Sequence, residues 1–595
     1  MIDTSKWKEY RMSGPEREYL DAYLANLKKN TDPDLGDDVF FARFCIAQIL
    51  KPRDLDVNQL ADGYTDGRLD GGADAIYFFV AGKLVTEDMT PSEVVEYEGL
   101  TMSLHLIQAT RSPHFPTDQL RKLEDFSKDL LDSRNDIDEK AQLYNADVRA
   151  AIRRFHIWWQ DLKMKLPSLS IHFHIASKGD GVHPDVATRA EGLKRTVKGL
   201  YHCDCDVHFY NAKMLLEMAK QSRREPVEMK FIKQLASDHW GNAFVCLVTI
   251  KDYITLITTK TGDLRDYVLE PNVRAYLGSK GVNSEIRNTL LAGSKTDEFW
   301  WLNNGVTITS SQIKPGISSL VLKDARVVNG LQTSREIYHY FQQKPKAAMS
   351  DERHVLVKVI EADKKSARNI TKTTNNQTKI DPIYLRTTTD DIHDAIEAAL
   401  PTFGFYYERV KNQYYDDDNV PRSQIVTLDY LTRALVAIIM QKPEQARGSP
   451  GQFVQRHYKQ IFSHTCKPEV FGHTIQLMKK VDDFVVARVE AKTDRANLKY
   501  YLALDAICSV AKRSTIQRGT IAKLKADKLT QEVLEGSLSR VQRIYEHIRA
   551  RGVVPDLVAK GGEFVFELKR QLDERFPPKH KKTENLLWSA MEQEQ

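Results

Sequence analysis

The chain has 595 residues, 42% of them hydrophobic and 28% charged, enough for several buried cores, which excludes a disordered or collagen-like protein. Six cysteines spread over this length do not make a disulfide scaffold, so reduced thiols are expected. The most apolar stretch, Ala434 to Met440, is far short of the ~20 residues that cross a bilayer, and Met1 to Trp7 carry no signal-like apolar core, so the expectation is a cytoplasmic protein with no membrane partner.

Residues 15 to 50 read as helices, with Val39, Phe40, Phe44 and Ile46 on one apolar face. Gly63, Gly67, Gly71 and Gly72 then punctuate a turn-rich approach to a β-rich run from Asp74 to Val80, and Leu104 to Ala109 reads as a neighbouring strand. Helices follow at Asp118 to Leu131 and around Lys140 to Lys163. Strands at Ser170 to Ala176 and Asp206 to Tyr210 are separated by a helix near Asp185 to Leu200, an α/β order. From about Val227 the pattern is mixed, with strands at Phe244 to Ile250, Gly305 to Thr309, Ala325 to Val328 and Val355 to Ile360. Beyond Pro421, segments of 3.6-residue period take over: Leu428 to Met440, Phe471 to Val489, Tyr501 to Lys512 and Val533 to Arg549. The formal charge of +5 is uneven, because residues 421–595 hold about 30 Lys and Arg against about 20 Asp and Glu. Such helices can track a phosphate backbone or simply present solvated faces.

The first candidate site surrounds Asp74 and Gln108. A carboxylate at the foot of one strand, with polar residues at i and i+2 on the next, is the minimal layout of a metal-dependent phosphodiesterase: the metal needs oxygen ligands, and alternate strand residues share a face. The stretch Asp70-Gly-Gly-Ala-Asp74 followed by Leu106-Ile-Gln108-Ala-Thr110 resembles the PD-(D/E)xK nuclease core in its Mrr-like form. In that resemblance Asp74 binds Mg²⁺ or Mn²⁺, Gln108 takes the second acidic position, and Thr110 stands where a lysine is expected. Thr110 brings no positive charge. Arg111 points to the opposite strand face, while Arg121 or Lys122 on the following helix could reach in. The bland reading is a Gly-Gly-x-Asp turn beside a hydrogen-bonded strand glutamine.

The second candidate site is a constellation of amides: Asn303-Asn304-Gly305, then Asn329-Gly330-Leu-Gln332-Thr333-Ser-Arg335, then Asn375-Asn376-Gln377. A strand, a glycine turn and a helix N-terminus with side-chain donors make an anion site, and the amides suit sugar or base edges, so a nucleotide pocket is expected. The competing reading is local: Thr333 to Glu336 matches a T-x-x-E capping box, and the Asn-Gly pairs are turns.

Taken together, Leu264-Arg-Asp-Tyr-Val268, Asn272-Val-Arg274, Val282-Asn283-Ser-Glu-Ile286, Phe299-Trp-Trp-Leu-Asn-Asn-Gly-Val306, Val328-Asn-Gly-Leu-Gln-Thr333 and Asn375-Asn-Gln-Thr-Lys-Ile380 resemble the AIPR (abortive infection phage resistance) family over residues 225 to 420, and Phe405-Tyr-Tyr-Glu-Arg409 is similar to its pattern further on. More distantly, Val328 to Thr333 resembles the Asp-Gly-Gln-(His/Gln)-Arg signature of ParB-like nucleotide-binding proteins, with Asn329 replacing the acid and Thr333 the basic residue. The AIPR resemblance implies bacterial antiphage defence, and such proteins often carry an Mrr-like nuclease domain ahead of this region. The fold class that follows is multidomain α/β. It comprises a restriction-endonuclease-like domain over 1–222, a central mixed α/β AIPR domain over 223–420 and a basic all-α bundle over 421–595. The function that follows is a metal-dependent nuclease acting on DNA or RNA under AIPR control. The alternatives are a degenerate nuclease-like sensor that binds without cleaving, and NTP hydrolysis in the central domain. The resemblance allows for an NTP ligand, a phage-derived trigger and a homo-oligomer.

Three weaker signals favour bland readings. His202-Cys203-Asp204-Cys205-Asp206 lacks the second cysteine pair of a zinc site, His172 and His174 share a strand face, and Asp416-Asp417-Asp418 reads as a solvated loop.

Overall fold

The computed structural model describes residues 15–65, 67–91, 100–220, 226–237, 242–259, 262, 264–269, 282–292, 298–363, 366–367, 370, 390–409, 411–414, 417, 419–448 and 450–577. The chain forms two compact units, one of residues 1–389 with 412–423, the other of residues 390–411 with 424–595.

The first unit opens with helices α1 (Pro15–Thr31), α2 (Asp37–Ile49) and a short α3 (Val57–Asp62) that the Asp56 side chain caps. A five-stranded sheet follows: β1 (Ala75–Val80), β2 (Lys83–Leu84), β3 (Thr101–Thr110), β4 (Ser168–Ser177) and β5 (Asp204–Tyr210), in the order β2-β1-β3-β4-β5. β1 runs antiparallel to β2 and β3, while β3, β4 and β5 are parallel. Parallel neighbours need crossovers, supplied by α4 (Thr117–Phe126) and α5 (Ala146–Leu162) between β3 and β4 and by α6 (Pro184–Leu200) between β4 and β5. Alternation along the strands sorts the side chains. Leu104, Leu106, Phe173 and Ile175 pack with Leu123, Trp158 and Leu193 of the crossover helices on one face. Tyr77, Phe79 and Ile107 pack with Leu20, Phe41 and Leu215 of α1, α2 and α7 (Ala212–Lys220) on the other. Covered on both faces, β1 reads as the unbroken apolar run Ala-Ile-Tyr-Phe-Phe-Val.

Element ends differ from the sequence reading for local reasons. The expected helix from Asp118 to Leu131 is α-helical only to Phe126 and widens into a π turn over Ser127–Leu131, where Ser127 Oγ donates to the Leu123 carbonyl at 2.7 Å. α5 starts six residues later than expected, because Asn145 caps it by accepting from Val148 N–H at 2.9 Å.

Among the described residues the same unit contains two further sheets. β6 (Val227–Lys230), β7 (Lys233–Ser237) and β8 (Ala243–Thr249) lead into α8 (Ile250–Ile257), whose Thr249 cap ends the expected strand one residue early. α9 (Asp266–Leu269) and α10 (Val282–Ala292) precede β9 (Val306–Ser310), β10 (Gln312–Pro315), β11 (Ser319–Lys323) and β12 (Arg326–Asn329); α11 (Leu331–Gln343) and β13 (His354–Glu361) follow. Their orders are β12-β9-β13-β8-β7 and β10-β11-β6. The returning segment 412–423 is tied to the start of the unit by Asn412 Nδ2, which donates to Asp54 Oδ1 at 2.7 Å.

Among its described residues the second unit is helical apart from one parallel pair, β14 (Tyr406–Glu408) with β15 (Ile425–Thr427). Its central helix, Lys492–Ala511, is buried along most of its length and is joined by Leu428–Ile438, Pro468–Arg488, Gln531–Arg549 and Gly562–Arg575. Among the described residues no helix is long and apolar enough to cross a membrane. All six cysteines are free.

Candidate functional site

Asp74 immediately precedes β1, and its backbone N–H donates to Ile107 O at 2.8 Å, which fixes it against the C-terminal end of β3. Its side chain is nearly buried, and Oδ2 accepts from Ala109 N–H at 2.6 Å and from Gln108 Nε2 at 3.2 Å. The structure therefore brings Asp74 and Gln108 together, as the sequence spacing anticipates. Thr110, half-buried, ends the strand: its Oγ1 accepts from Ser112 N–H at 3.3 Å and turns the chain. Gly72, at φ +84, forms the other wall; a Cβ there would lie 3.5 Å from Gln108 Oε1 and 3.1 Å from Lys122 Cβ. Arg111 faces away toward Asp37 and Asp38, each 3.4 Å distant. One carboxylate and one amide oxygen fit Mg²⁺ or Mn²⁺, which keeps several waters and takes the rest of its shell from substrate phosphates. Among the described residues no group of three or more His, Cys, Asp or Glu side chains has metal-binding geometry.

On the opposite face of the same sheet lies a network that sequence reading saw only in part. His172 and His174 share a strand face, and register adds His105 of β3 and His208 of β5. His105 Nδ1 lies 3.0 Å from His174 Nε2, His174 Nδ1 lies 2.9 Å from Tyr210 Oη, and His105 Nε2 lies 3.3 Å from Ser103 Oγ, a continuous hydrogen-bonded chain across three strands. His172 Nδ1 and His208 Nε2 stand 3.4 Å apart beside it. Burial, reinforced by the neighbouring histidines, pushes His105 and His174 well below the usual histidine range. They are therefore neutral imidazoles, each donating through one nitrogen and accepting through the other. Only strand pairing reveals this chain; the His-x-His spacing on β4 is its one trace in sequence. Nearby, burial lifts the Cys203 and Cys205 thiols to about 11 and about 12, which suits structural cysteines rather than thiolate ligands.

In the second constellation two of three segments meet. Gly330, at φ +92, is the N-cap of α11, and a Cβ on it would lie 2.8 Å from Gly305 O; Gly305, at φ +74, would place a Cβ 2.4 Å from Leu356 O. The two Asn-Gly turns thus abut, and neither glycine tolerates a side chain. Asn303 closes the Phe299–Trp301 turn by donating to Phe299 O at 3.0 Å, Asn304 is exposed, and Asn329 Oδ1 accepts from Gly330 N–H at 2.7 Å. The capping-box alternative fails. Thr333 and Glu336 lie inside α11, both buried, and Glu336 accepts from Arg287 Nε at 2.9 Å. Gln332 and Arg335 are half-buried on the first turns of the helix. Burial, together with Arg287 and Arg335, pushes His339 down to about 4. Asn375, Asn376 and Gln377 lie outside the described residues, as do Asp416 and Asp418, while Asp417 accepts from Asn419 N–H.

The motif Phe405 to Arg409 falls in the second unit. His393 is fully buried between Tyr407 Oη at 2.8 Å and Tyr458 Oη at 2.9 Å, and burial pushes it down to about 3. A cleft of about 1210 Å³ in this unit is lined by Phe403, Phe405 and Phe484 and by Lys479, Lys480, Arg488 and Lys525, with Asp483 and Asp527 also in its walls.

Residues 269–550 match the family model described as AIPR protein, and this supports the AIPR resemblance of the sequence. The matched stretch begins in the first unit at α9 and runs through most of the helices of the second. No curated protein and no solved structure matches the chain.

Proposed function

We propose that the protein acts in abortive infection against phage as a metal-dependent nuclease on DNA or RNA, governed by its AIPR region. The AIPR match supports the defence role. The observation that carries the nuclease reading is the meeting of Asp74 and Gln108 at the C-terminal end of β3, on a mixed sheet covered by helices on both faces. In this reading Asp74 and Gln108 Oε1 hold Mg²⁺ or Mn²⁺, which supplies charge to a phosphate and a polarised water. The abutting Asn304-Gly305 and Asn329-Gly330 turns with α11 serve as a nucleotide-sensing site that tunes the output.

One observation favours a second reading, a sensor without cleavage: Thr110 stands in the lysine position and its hydroxyl is used to turn the chain. Phage plating on bacteria that express wild type or Asp74→Asn at equal levels separates the two. The asparagine keeps an acceptor for Ala109 N–H and loses only the charge, so the nuclease reading predicts that protection disappears. Full protection by Asp74→Asn would contradict it and support the sensor.

A further inference from the structure

Phosphodiester hydrolysis builds negative charge around phosphorus, and a fixed cation at that place lowers the barrier. The corner at Asp74 and Gln108 lacks such a cation on β3. Of the cations on α4 and just beyond the ends of β3 and β4, three are engaged. Arg111 lies beside Asp37 and Asp38, Arg121 is exposed and lies 3.7 Å from Asp118, and Lys178 is buried, ion-paired with Asp21 and 5.3 Å above the Phe41 ring. Lys122 is exposed and, among the described residues, makes no ion pair or hydrogen bond.

Gly72 sets its position. The site a Cβ would take on Gly72 is 3.1 Å from Lys122 Cβ, 3.7 Å from Lys122 Cδ and 3.5 Å from Gln108 Oε1. The lysine stem and the glutamine amide oxygen thus flank the same point beside the backbone two residues before Asp74. The two atoms beyond Cδ bring the ammonium within reach of the space in front of Gln108. A side chain at position 72 would press the Lys122 stem aside by a few tenths of an ångström, and the positive φ disfavours one in any case.

We propose that Lys122 supplies the charge missing at Thr110, contacting a non-bridging phosphate oxygen of a DNA or RNA strand held at Asp74 and Gln108. The inference rests on reading this corner as a nuclease centre. Water adds across one phosphodiester bond: its oxygen bonds to phosphorus, the ester oxygen departs with the electron pair and a proton, and a phosphomonoester and a hydroxyl remain. Lys122 acts through charge alone. A helix lysine in place of a strand lysine also explains why the strand position can be spent on turning the chain.

The test is cleavage of end-labelled DNA and RNA by the full chain in Mn²⁺, comparing wild type with Lys122→Met, Lys122→Arg, Asp74→Asn and the double variant Thr110→Lys, Lys122→Met. Lys122→Met is expected to cut roughly 100-fold more slowly with unchanged melting temperature and Mn²⁺ affinity, Lys122→Arg to retain most activity, and the double variant to regain part of it. Lys122→Met cutting within about threefold of wild type while Asp74→Asn is inactive would overturn the role of Lys122 and leave the nuclease reading intact. Cleavage that survives Asp74→Asn, or none by wild type, would overturn that reading and this inference with it.

Discussion

Asp74 spends one oxygen on the β3 backbone, at 2.6 Å from Ala109 N, and this bond locks the carboxylate to the strand that carries Gln108. That pairing was legible in sequence because polar residues at i and i+2 of a strand share one face, which can meet a carboxylate at the foot of the neighbouring strand. Lys122 was one of two candidates on a helix, and nothing in sequence could choose between it and Arg121; the choice depends on which side chain rests on Gly72. The capping-box pattern misled for a related reason. Gly330 at positive φ starts α11 three residues early, so Thr333 and Glu336 become interior positions. Gly305 gives the sharpest residue-level prediction. Alanine there would meet Leu356 O at 2.4 Å and sit at φ +74, so Gly305→Ala should destabilise the protein by about 2–3 kcal/mol, read as a lower urea midpoint. An unchanged midpoint would mean that the two Asn-Gly turns are not packed as described.

At the scale of elements, the parallel set β3-β4-β5 carries the Asp74–Gln108 corner on one side and the histidine chain on the other. His105 and His174 have folded values well below their unfolded value near 6.5, so above that pH both states are neutral and stability is flat. As pH falls below 6.5 the unfolded chain takes up protons that the folded chain refuses, and stability drops by about 1.4 kcal/mol per pH unit for each such histidine. His393, at about 3, adds the same dependence in the helical unit. Urea midpoints measured from pH 8 to pH 5 should therefore hold steady and then fall, and His174→Gln should flatten the acid limb; a midpoint that rises on acidification would contradict the assignment. In the helical unit, Asp505 is buried between Arg540 and Arg575, the latter at 3.0 Å. Asp505→Asn removes the shared anion and should cost about 3 kcal/mol, measurable by thermal melting. The apolar periods at Tyr501 to Lys512 and Val533 to Arg549 predicted the helices of Asp505 and Arg540, though not that of Arg575 nor the buried anion in the helix spanning Lys492–Ala511, since a lone aspartate among apolar residues reads as a break in the pattern.

Across the whole molecule the alternation of strands and helices before Pro421 and the helical periods after it were legible, because both follow from burial of one face or two. The division into compact units was not, since the chain passes from the first to the second at 390, returns at 412 and leaves again at 424. Such excursions depend on long-range ties such as Asn412 to Asp54, which no local window contains. The AIPR match spans parts of both units, and the Asp74 corner lies outside it. In the proposed function, cutting belongs to the N-terminal sheet and its control to the AIPR stretch. The most direct test is the initial rate of strand cleavage by purified wild type and Asp74→Asn on labelled DNA and RNA with Mg²⁺ or Mn²⁺, with and without NTP. Metal-dependent cleavage by wild type that Asp74→Asn loses, at unchanged melting temperature, is the predicted result; equal rates for the two proteins, or none for either under every condition, would contradict it.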